Sequence, residues 1–278
     1  METTDLIKKY EFKIKKKFGQ NFLIDGNILN GIADAADVGP DDTVLEIGPG
    51  LGALTRILAK RARKVIAIEI DDTLIPILGE TLAEYSNVRI VNDDVLKVDI
   101  ASLLREEDAE SFKVVANLPY YITTPIIMNL LERDLPTESI TVMVQREVAD
   151  RMCAKPGGKD YGALTLAVQY YSDPEIVLNV SPGCFIPRPE VGSAVVRMVR
   201  YDDAPCKPAD PGFMFDLIRA SFNHRRKTLA NGVIGMPALG ISREQVYEAL
   251  KKMDLPEQTR GETLSVEQFA QLSDLLKE

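Results

Sequence analysis

Residues 43–61 constrain the fold more than any other stretch of the chain. Thr43-Val-Leu-Glu-Ile47 is a short, mostly apolar run that reads as a buried strand. Gly48-Pro-Gly-Leu-Gly52 stops it with three glycines at alternate positions, and residues 53–61 continue as a helix. A strand that ends on glycines and turns straight into a helix is a βα unit, and repeated βα units build a parallel sheet covered on both faces. The pattern does repeat. Strand-like runs fall at 64–70, 88–91, 113–118 and 139–145, with helical patterns near 72–85, 124–132 and 146–154.

After a helical pattern near 161–171 the rhythm changes. Two strand-like runs, 175–180 and 192–200, are joined by Ser-Pro-Gly-Cys-Phe-Ile-Pro-Arg-Pro with no helical pattern between them. They suit a hairpin-like pair at the sheet edge. Residues 201–211 hold three prolines and three aspartates, the composition of a linker. The remainder is helical, with capping-box patterns at Ser242-Arg-Glu-Gln245 and Ser265-Val-Glu-Gln268. The expected division is therefore 1–202, an α/β domain with a basic N-terminal segment, and 203–278, a small all-helical domain.

Composition narrows the chemistry. There is a single histidine, His224, so no multi-histidine metal site exists and no metal is expected. Cys153, Cys184 and Cys206 have no Cys-x-x-Cys spacing and are odd in number, which fits reduced packing residues better than zinc ligands or a disulfide framework. No apolar run approaches the ~20 residues that span a bilayer, and the lysine-rich start has no apolar stretch of a signal peptide. A cytoplasmic protein without a membrane partner is expected.

The net charge of −9 argues at first sight against a polyanion partner. Its distribution argues otherwise. Residues 8–17 carry a net +5, residues 56–64 a net +5 and residues 219–227 a net +4, leaving −23 for the rest of the chain. Each cluster reads either as a solvated helix face or as part of a phosphate-tracking surface. On the second reading Lys15, Lys16, Lys17, Arg61, Lys64, Arg225, Arg226 and Lys227 would contact nucleic acid.

The glycine turn lets backbone approach a ligand at the carboxyl end of a strand. Glu46 closes that strand and Glu69 the next, where a carboxylate can accept from a ribose diol. Asp94 ends the third strand, within reach of an adenine amine. Together they make an adenosine-binding constellation. Gly48-x-Gly50-x-x-Ala53 also satisfies a dinucleotide fingerprint, so a nicotinamide-dependent dehydrogenase is one rival. Asn117-Leu-Pro-Tyr120 follows the fourth strand. It reads either as an ordinary turn or as a device for a weak nucleophile. An exocyclic adenine amine has its lone pair delocalised into the ring, and acceptors set against its N–H bonds restore some lone-pair character. The Asn117 side-chain oxygen and the carbonyl of Leu118 or Pro119 are the candidate acceptors, and Tyr120 the candidate stacking ring.

These residues resemble those of the ribosomal RNA adenine dimethyltransferase family, which includes small-subunit dimethyladenosine transferases and erythromycin-resistance methylases. The matching elements are Phe18-Gly-Gln-Asn-Phe-Leu23, Glu46-Ile-Gly-Pro-Gly-Leu-Gly52, Glu69, Asp93-Asp94, Asn117-Leu-Pro-Tyr-Tyr121, Gln145-Arg-Glu147, Tyr161-Gly162 and Phe185-x-Pro-x-Pro-x-Val-x-Ser193. Phe222-x-x-Arg-Arg-Lys-Thr-Leu229 and Arg260-Gly-Glu-Thr-Leu264 resemble the helical tail of the small-subunit branch. The resemblance implies a Rossmann-like seven-stranded methyltransferase sheet, S-adenosylmethionine as donor, and two adjacent adenosines near the 3′ end of 16S rRNA in the small subunit as substrate. It implies a role in ribosome biogenesis and a monomeric enzyme. Carried over to this chain, Gln20, Asn21, Leu23, Glu46, Gly48, Gly50, Gly52, Glu69, Ile70, Asp94, Val95 and Asn117 would hold the donor. Asn117, Leu118, Pro119, Tyr120 and Phe185 would hold the reacting base, with Tyr120 and Phe185 on its two faces. Core packing is the alternative for Phe185. Two rivals stay open: a non-catalytic assembly factor on the same fold, and a methyltransferase for large-subunit rRNA or DNA.

Overall fold

The apolar run at Thr43–Ile47 is buried at every position and has a parallel neighbour on each side. It is β2 of a computed structural model that describes residues 3–10 and 19–277. In chain order the elements begin α1 (Thr3–Lys9), β1 (Phe22–Leu23), α2 (Gly26–Ala35), β2 (Thr43–Ile47), α3 (Ala53–Ala59) and β3 (Lys64–Glu69). They continue α4 (Ile75–Thr81), β4 (Val88–Asn92), α5 (Ile100–Glu106), β5 (Phe112–Asn117), α6 (Thr123–Glu132) and β6 (Thr137–Gln145). Then come α7 (Arg146–Met152), α8 (Ala163–Tyr171), β7 (Ser172–Val180), β8 (Phe185–Ile186) and β9 (Ser193–Arg200). Helices α9 (Pro211–Asn223), α10 (Leu229–Ile234), α11 (Arg243–Lys252) and α12 (Val266–Lys277) complete the chain.

The seven-stranded sheet has the order β4-β3-β2-β5-β6-β9-β7. The first five are parallel and β9 is antiparallel to β6. The two runs joined without a helix, β7 and β9, are neighbours at one edge. From β2 the chain builds outward through β3 to β4 and then returns to β5 on the other side of β2. That reversal opens a crevice at the carboxyl ends of β2 and β5.

The sequence pattern underestimates several elements. The helix expected at 72–85 is a 3₁₀ turn, Asp72–Leu74, followed by the seven-residue α4. Helix α2 went unseen because its residues include two glycines and two asparagines, poor helix formers. It forms because Leu29, Ile32 and Ala33 are buried and Asp25 caps its first turn, its Oδ1 accepting from the N–H of Asn27 at 2.9 Å. The paired strands β1 and β8 have two residues each, too few for a periodicity.

The chain separates into two compact units, Met1–Ala149 with Pro174–Arg200, and Asp150–Asp173 with Tyr201–Glu278. The second unit is thus discontinuous, unlike the division expected at 202/203. Tyr161 explains why. Its ring is buried among Met214, Leu217, Leu229, Val246, Leu250 and Phe269, and its hydroxyl donates to the Leu264 carbonyl at 2.7 Å. Both capping boxes form: Ser242 and Gln245 exchange hydrogen bonds, as do Ser265 and Gln268. Among the described residues Cys153, Cys184 and Cys206 form no disulfide and are half-buried.

Candidate active site at the carboxyl edge of the sheet

Because β2, β3, β4 and β5 run parallel, the residues that follow them emerge on one edge. They line a cleft of about 1160 Å³, counted with its open mouth. Glu46, Gly48 and Gly50 come from the end of β2, and Glu69 and Ile70 from β3. Asp94 and Val95 follow β4, Asn117, Leu118, Pro119 and Tyr120 follow β5, and Gln20, Asn21 and Leu23 arrive with β1. Of the residues expected at donor and base, Gly52 and Phe185 are absent from the wall.

The three glycines of the turn have different duties. All have positive φ: +69° at Gly48, +60° at Gly50 and +78° at Gly52. A Cβ on Gly48 would meet no atom within 4 Å and would project into open space. A Cβ on Gly50 would stand 3.1 Å from the Phe22 ring, and one on Gly52 3.3 Å from Leu82. Only Gly48 keeps volume free for a ligand; the other two admit close packing.

Acidic groups dominate the cleft. Glu69 is buried, its Oε2 accepting from the Gly50 N–H at 3.1 Å and its Oε1 from the Asp71 N–H at 2.9 Å. Each oxygen keeps a lone pair for a ligand hydroxyl. Burial pushes the Glu69 carboxyl upward against these two donors. Glu46 is only 2 % exposed, and its Oε2 has no hydrogen-bond partner. Burial pushes it up to about 8; the nearby Thr55 hydroxyl opposes that shift and the charge of Glu69 adds to it. Asp94 accepts the Leu96 N–H at 3.0 Å. Among the described residues no lysine, arginine or histidine lines the cleft, and no group of acids, cysteines and histidines is arranged to hold a metal ion.

The loop after β5 presents acceptors. Asn117 Nδ2 donates to the Asn21 carbonyl at 3.0 Å, which fixes the amide and leaves Oδ1 free of hydrogen bonds among the described residues. The Pro119 carbonyl is already used twice, by Thr123 Oγ1 at 3.0 Å and the Ile122 N–H at 3.2 Å. The Leu118 carbonyl accepts none among the described residues. Asn117 Oδ1 and Leu118 O are therefore the open pair, and Pro119 is set aside as an acceptor. The Tyr120 hydroxyl is 2.7 Å from Ser193 Oγ, and burial raises its pKa. Phe185 is 3 % exposed, pairs with Leu23 in the β1–β8 ladder and packs with Leu29, Val115 and Val195. In this structure it packs in the core and is not on the cleft wall.

The basic residues divide. Lys15, Lys16 and Lys17 lie outside the described residues. Arg61 pairs with Asp34 at 2.5 Å and Lys64 with Glu107 at 2.6 Å. Both stand where α3 passes into β3, the amino edge of the sheet. Five residue steps of about 3.3 Å separate Lys64 from Glu69, so this pair is roughly 16 Å from the cleft edge and already neutralised. Both expected nucleic-acid contacts are thus held in ion pairs at the edge away from the cleft. Arg225 is a latch: its Nε donates to Glu262 at 2.7 Å and its Nη2 to the Gly158 carbonyl at 2.8 Å. Arg226 and Lys227 are exposed and form no ion pair among the described residues.

Three residues escaped the sequence reading. Thr3 lines the cleft and its hydroxyl donates to the Leu23 carbonyl at 3.4 Å. Asp71 is buried and accepts from Gln20 Nε2 at 2.9 Å, fastening the N-terminal segment to the end of β3. Tyr121 is 59 % exposed at the rim, its ring against Gly19. Tyr121 closes the Asn117–Tyr121 motif and Asp71 is an acid two places beyond Glu69, whereas Thr3 leaves no signal in the sequence.

Known proteins share the arrangement. The chain is 54 % identical over 279 residues to the ribosomal RNA small subunit methyltransferase A of Lachnoclostridium phytofermentans, covering 100 % of this chain and 96 % of that one. It is 50 % identical to the protein of the same name from Geobacillus kaustophilus, over 99 % of this chain and 94 % of the other. A dimethyladenosine transferase structure from Plasmodium falciparum superposes with a TM-score of 0.76 at 27 % identity, covering 90 % of this chain and 95 % of that one. The 23S rRNA methyltransferase ErmE superposes at 0.72 with 30 % identity, over 93 % and 100 %. A sequence model described as ribosomal RNA adenine dimethylase matches residues 11–278. With its glycine turn, strand-end acids and Asn-Leu-Pro-Tyr loop on one wall, the chain belongs to the ribosomal RNA adenine dimethylase family.

Proposed function

We propose that this chain converts two adjacent adenosines near the 3′ end of small-subunit 16S rRNA to N6,N6-dimethyladenosine, with S-adenosylmethionine as donor, during small-subunit biogenesis. The observation that carries the reading is the open acceptor pair, Asn117 Oδ1 and Leu118 O, on the wall of an acid-lined cleft. The cleft fits the donor. The bare face of Gly48 leaves room, Glu69 has free lone pairs for a ribose diol, and Glu46 sets an acid on the wall where a cationic group would lie. Asp94, Val95 and Ile70 would bound the adenine, and Gln20, Asn21 and Leu23 the amino-acid end.

S-adenosylmethionine supplies a methyl group already activated on sulfonium sulfur. The chain's work is therefore positioning and polarisation. Asn117 and Leu118 would accept the two N–H bonds of the target amine and raise the availability of its lone pair. Tyr120 would stack on the base, which must leave its own stack to enter. The methylated nitrogen sheds one proton to solvent, a single N–H remains, and one acceptor suffices for the second round. The first unit alone supplies every cleft residue, which supports a monomer. Among the described residues no helix is long and apolar enough to cross a membrane. A 16S rRNA substrate supports a cytoplasmic location.

The likeness to a 23S rRNA methyltransferase supports a second reading, a large-subunit target. Incubation with methyl-labelled S-adenosylmethionine and small subunits, large subunits or naked rRNA separates the two. Label in the small subunit is expected. Label confined to the large subunit supports the second reading, and no label in any RNA overturns both.

A further inference from the structure

The cleft has four acids on its wall, Glu46, Glu69, Asp93 and Asp94, and no basic residue among those described. Three of them have polar partners. Glu69 receives a backbone N–H on each oxygen. Asp94 receives one and lies 3.7 Å from Lys97, and Asp93 is exposed and accepts the Asp94 N–H. Glu46 has none of these supports. Beside it in the sheet are Ala67 of β3 and Val115 of β5. Helix α3 offers the Thr55 hydroxyl, the end of β5 offers the neutral Asn117, and the charged group that reaches it is the like-charged Glu69. Its Oε2 is buried without a partner. An isolated carboxylate in that setting is costly, and the empty site relieves the cost by keeping the group protonated.

We propose that Glu46, buried and with an unpartnered oxygen, distinguishes the cationic donor from its neutral spent form by giving a proton to solvent when a positive charge enters the cleft and regaining one when that charge is lost. The inference rests on the reading of the cleft as a site for S-adenosylmethionine. On donor binding the Glu46 O–H bond breaks, the carboxylate stays and the proton goes to solvent. Transfer of the methyl cation to the adenine N6 turns sulfonium into thioether, the methylated nitrogen loses its extra proton to solvent, and with the positive charge gone Glu46 takes a proton back from solvent. The carboxylate thereby loses its counter-charge at the moment the product must leave. Donor affinity then rises with pH towards about 8, by up to tenfold per unit, while affinity for S-adenosylhomocysteine stays flat.

The test is calorimetric titration of the whole protein in buffers of different ionisation enthalpy at pH 7. The expected result is release of close to one proton per S-adenosylmethionine bound and close to none per S-adenosylhomocysteine. Glu46→Gln, which resembles the protonated carboxyl in shape, should abolish the release and narrow the affinity gap between the two ligands. S-adenosylmethionine binding to the wild-type protein without proton release overturns the inference, as does equal release from Glu46→Gln. Absence of S-adenosylmethionine binding at any pH overturns the donor reading instead.

Discussion

Asn117 shows how a single side chain acquires a direction. Its amide nitrogen is held by the Asn21 carbonyl, so the oxygen is left without a hydrogen bond among the described residues on the wall of the cleft. Replacing it with alanine removes one of two preorganised acceptors. Single-turnover methyl transfer by Asn117→Ala should fall on the order of 100-fold, with donor affinity from equilibrium dialysis within a few-fold of wild type. Parallel loss of both would make Asn117 a structural residue.

Glu46 gives a stability prediction of its own. Its folded-state pKa is near 8 against an ordinary 4.5, so between these values the folded chain holds a proton that the unfolded chain has lost. The stabilisation is complete below about pH 4.5 and is lost as pH rises through about 8, at about 1.4 kcal/mol per unit in between. Glu46→Gln lacks this slope. Its denaturation midpoint should therefore gain on wild type steadily from pH 5 to pH 8.5, and a constant gap would refute the shift. The acids and Asn117 were legible in the sequence because each ends an apolar run. Which carbonyl stays open was not, because Thr123, one helix further on, occupies Pro119.

Among the elements, the β-strands were legible and the short pieces around the cleft were not. β1, β8 and α1 have two, two and seven residues, and their places are set by packing, such as Leu6 of α1 among Phe22, Leu51 and Leu74. Contrasting fates of like residues follow from the same cause. Arg225 clamps the 157–159 turn to Glu262, and Gly157 N–H bonds the Glu262 carbonyl at 2.7 Å. Arg225→Ala should cost about 1–2 kcal/mol in chemical denaturation, whereas Arg226→Ala and Lys227→Ala should cost nothing measurable. Equal costs would deny the latch. Gly261 is the tightest glycine of the second unit, since a Cβ there would lie 2.6 Å from Ser221 Cβ. Gly261→Ala should destabilise by about 1–3 kcal/mol in the same assay.

For the whole molecule, the opening charge argument changes its terms. A chain with net charge −9 can meet RNA only through local positive surface. Of the described clusters, 56–64 has two of its five basic residues, Arg61 and Lys64, held in ion pairs at the amino edge of the sheet, while Arg226 and Lys227 are exposed and form no ion pair among the described residues. Neutralising Arg226 and Lys227 together should weaken small-subunit binding and reduce the log–log salt slope by about 1.4–1.8. Neutralising Arg61 and Lys64 should leave that slope unchanged. Sequence spacing showed how many charges each cluster holds; their partners lie on distant elements and had to be seen folded.

The central claim is that the Asn117–Leu118 acceptor pair dimethylates adenine in small-subunit rRNA. The most direct test is nucleoside analysis of 16S rRNA from unmodified small subunits, incubated with S-adenosylmethionine and either the wild-type protein or Asn117→Ala. The account predicts N6,N6-dimethyladenosine at two adjacent positions near the 3′ end, formed about 100-fold more slowly by the variant. No dimethyladenosine in the small subunit, or equal rates from both proteins, would contradict it.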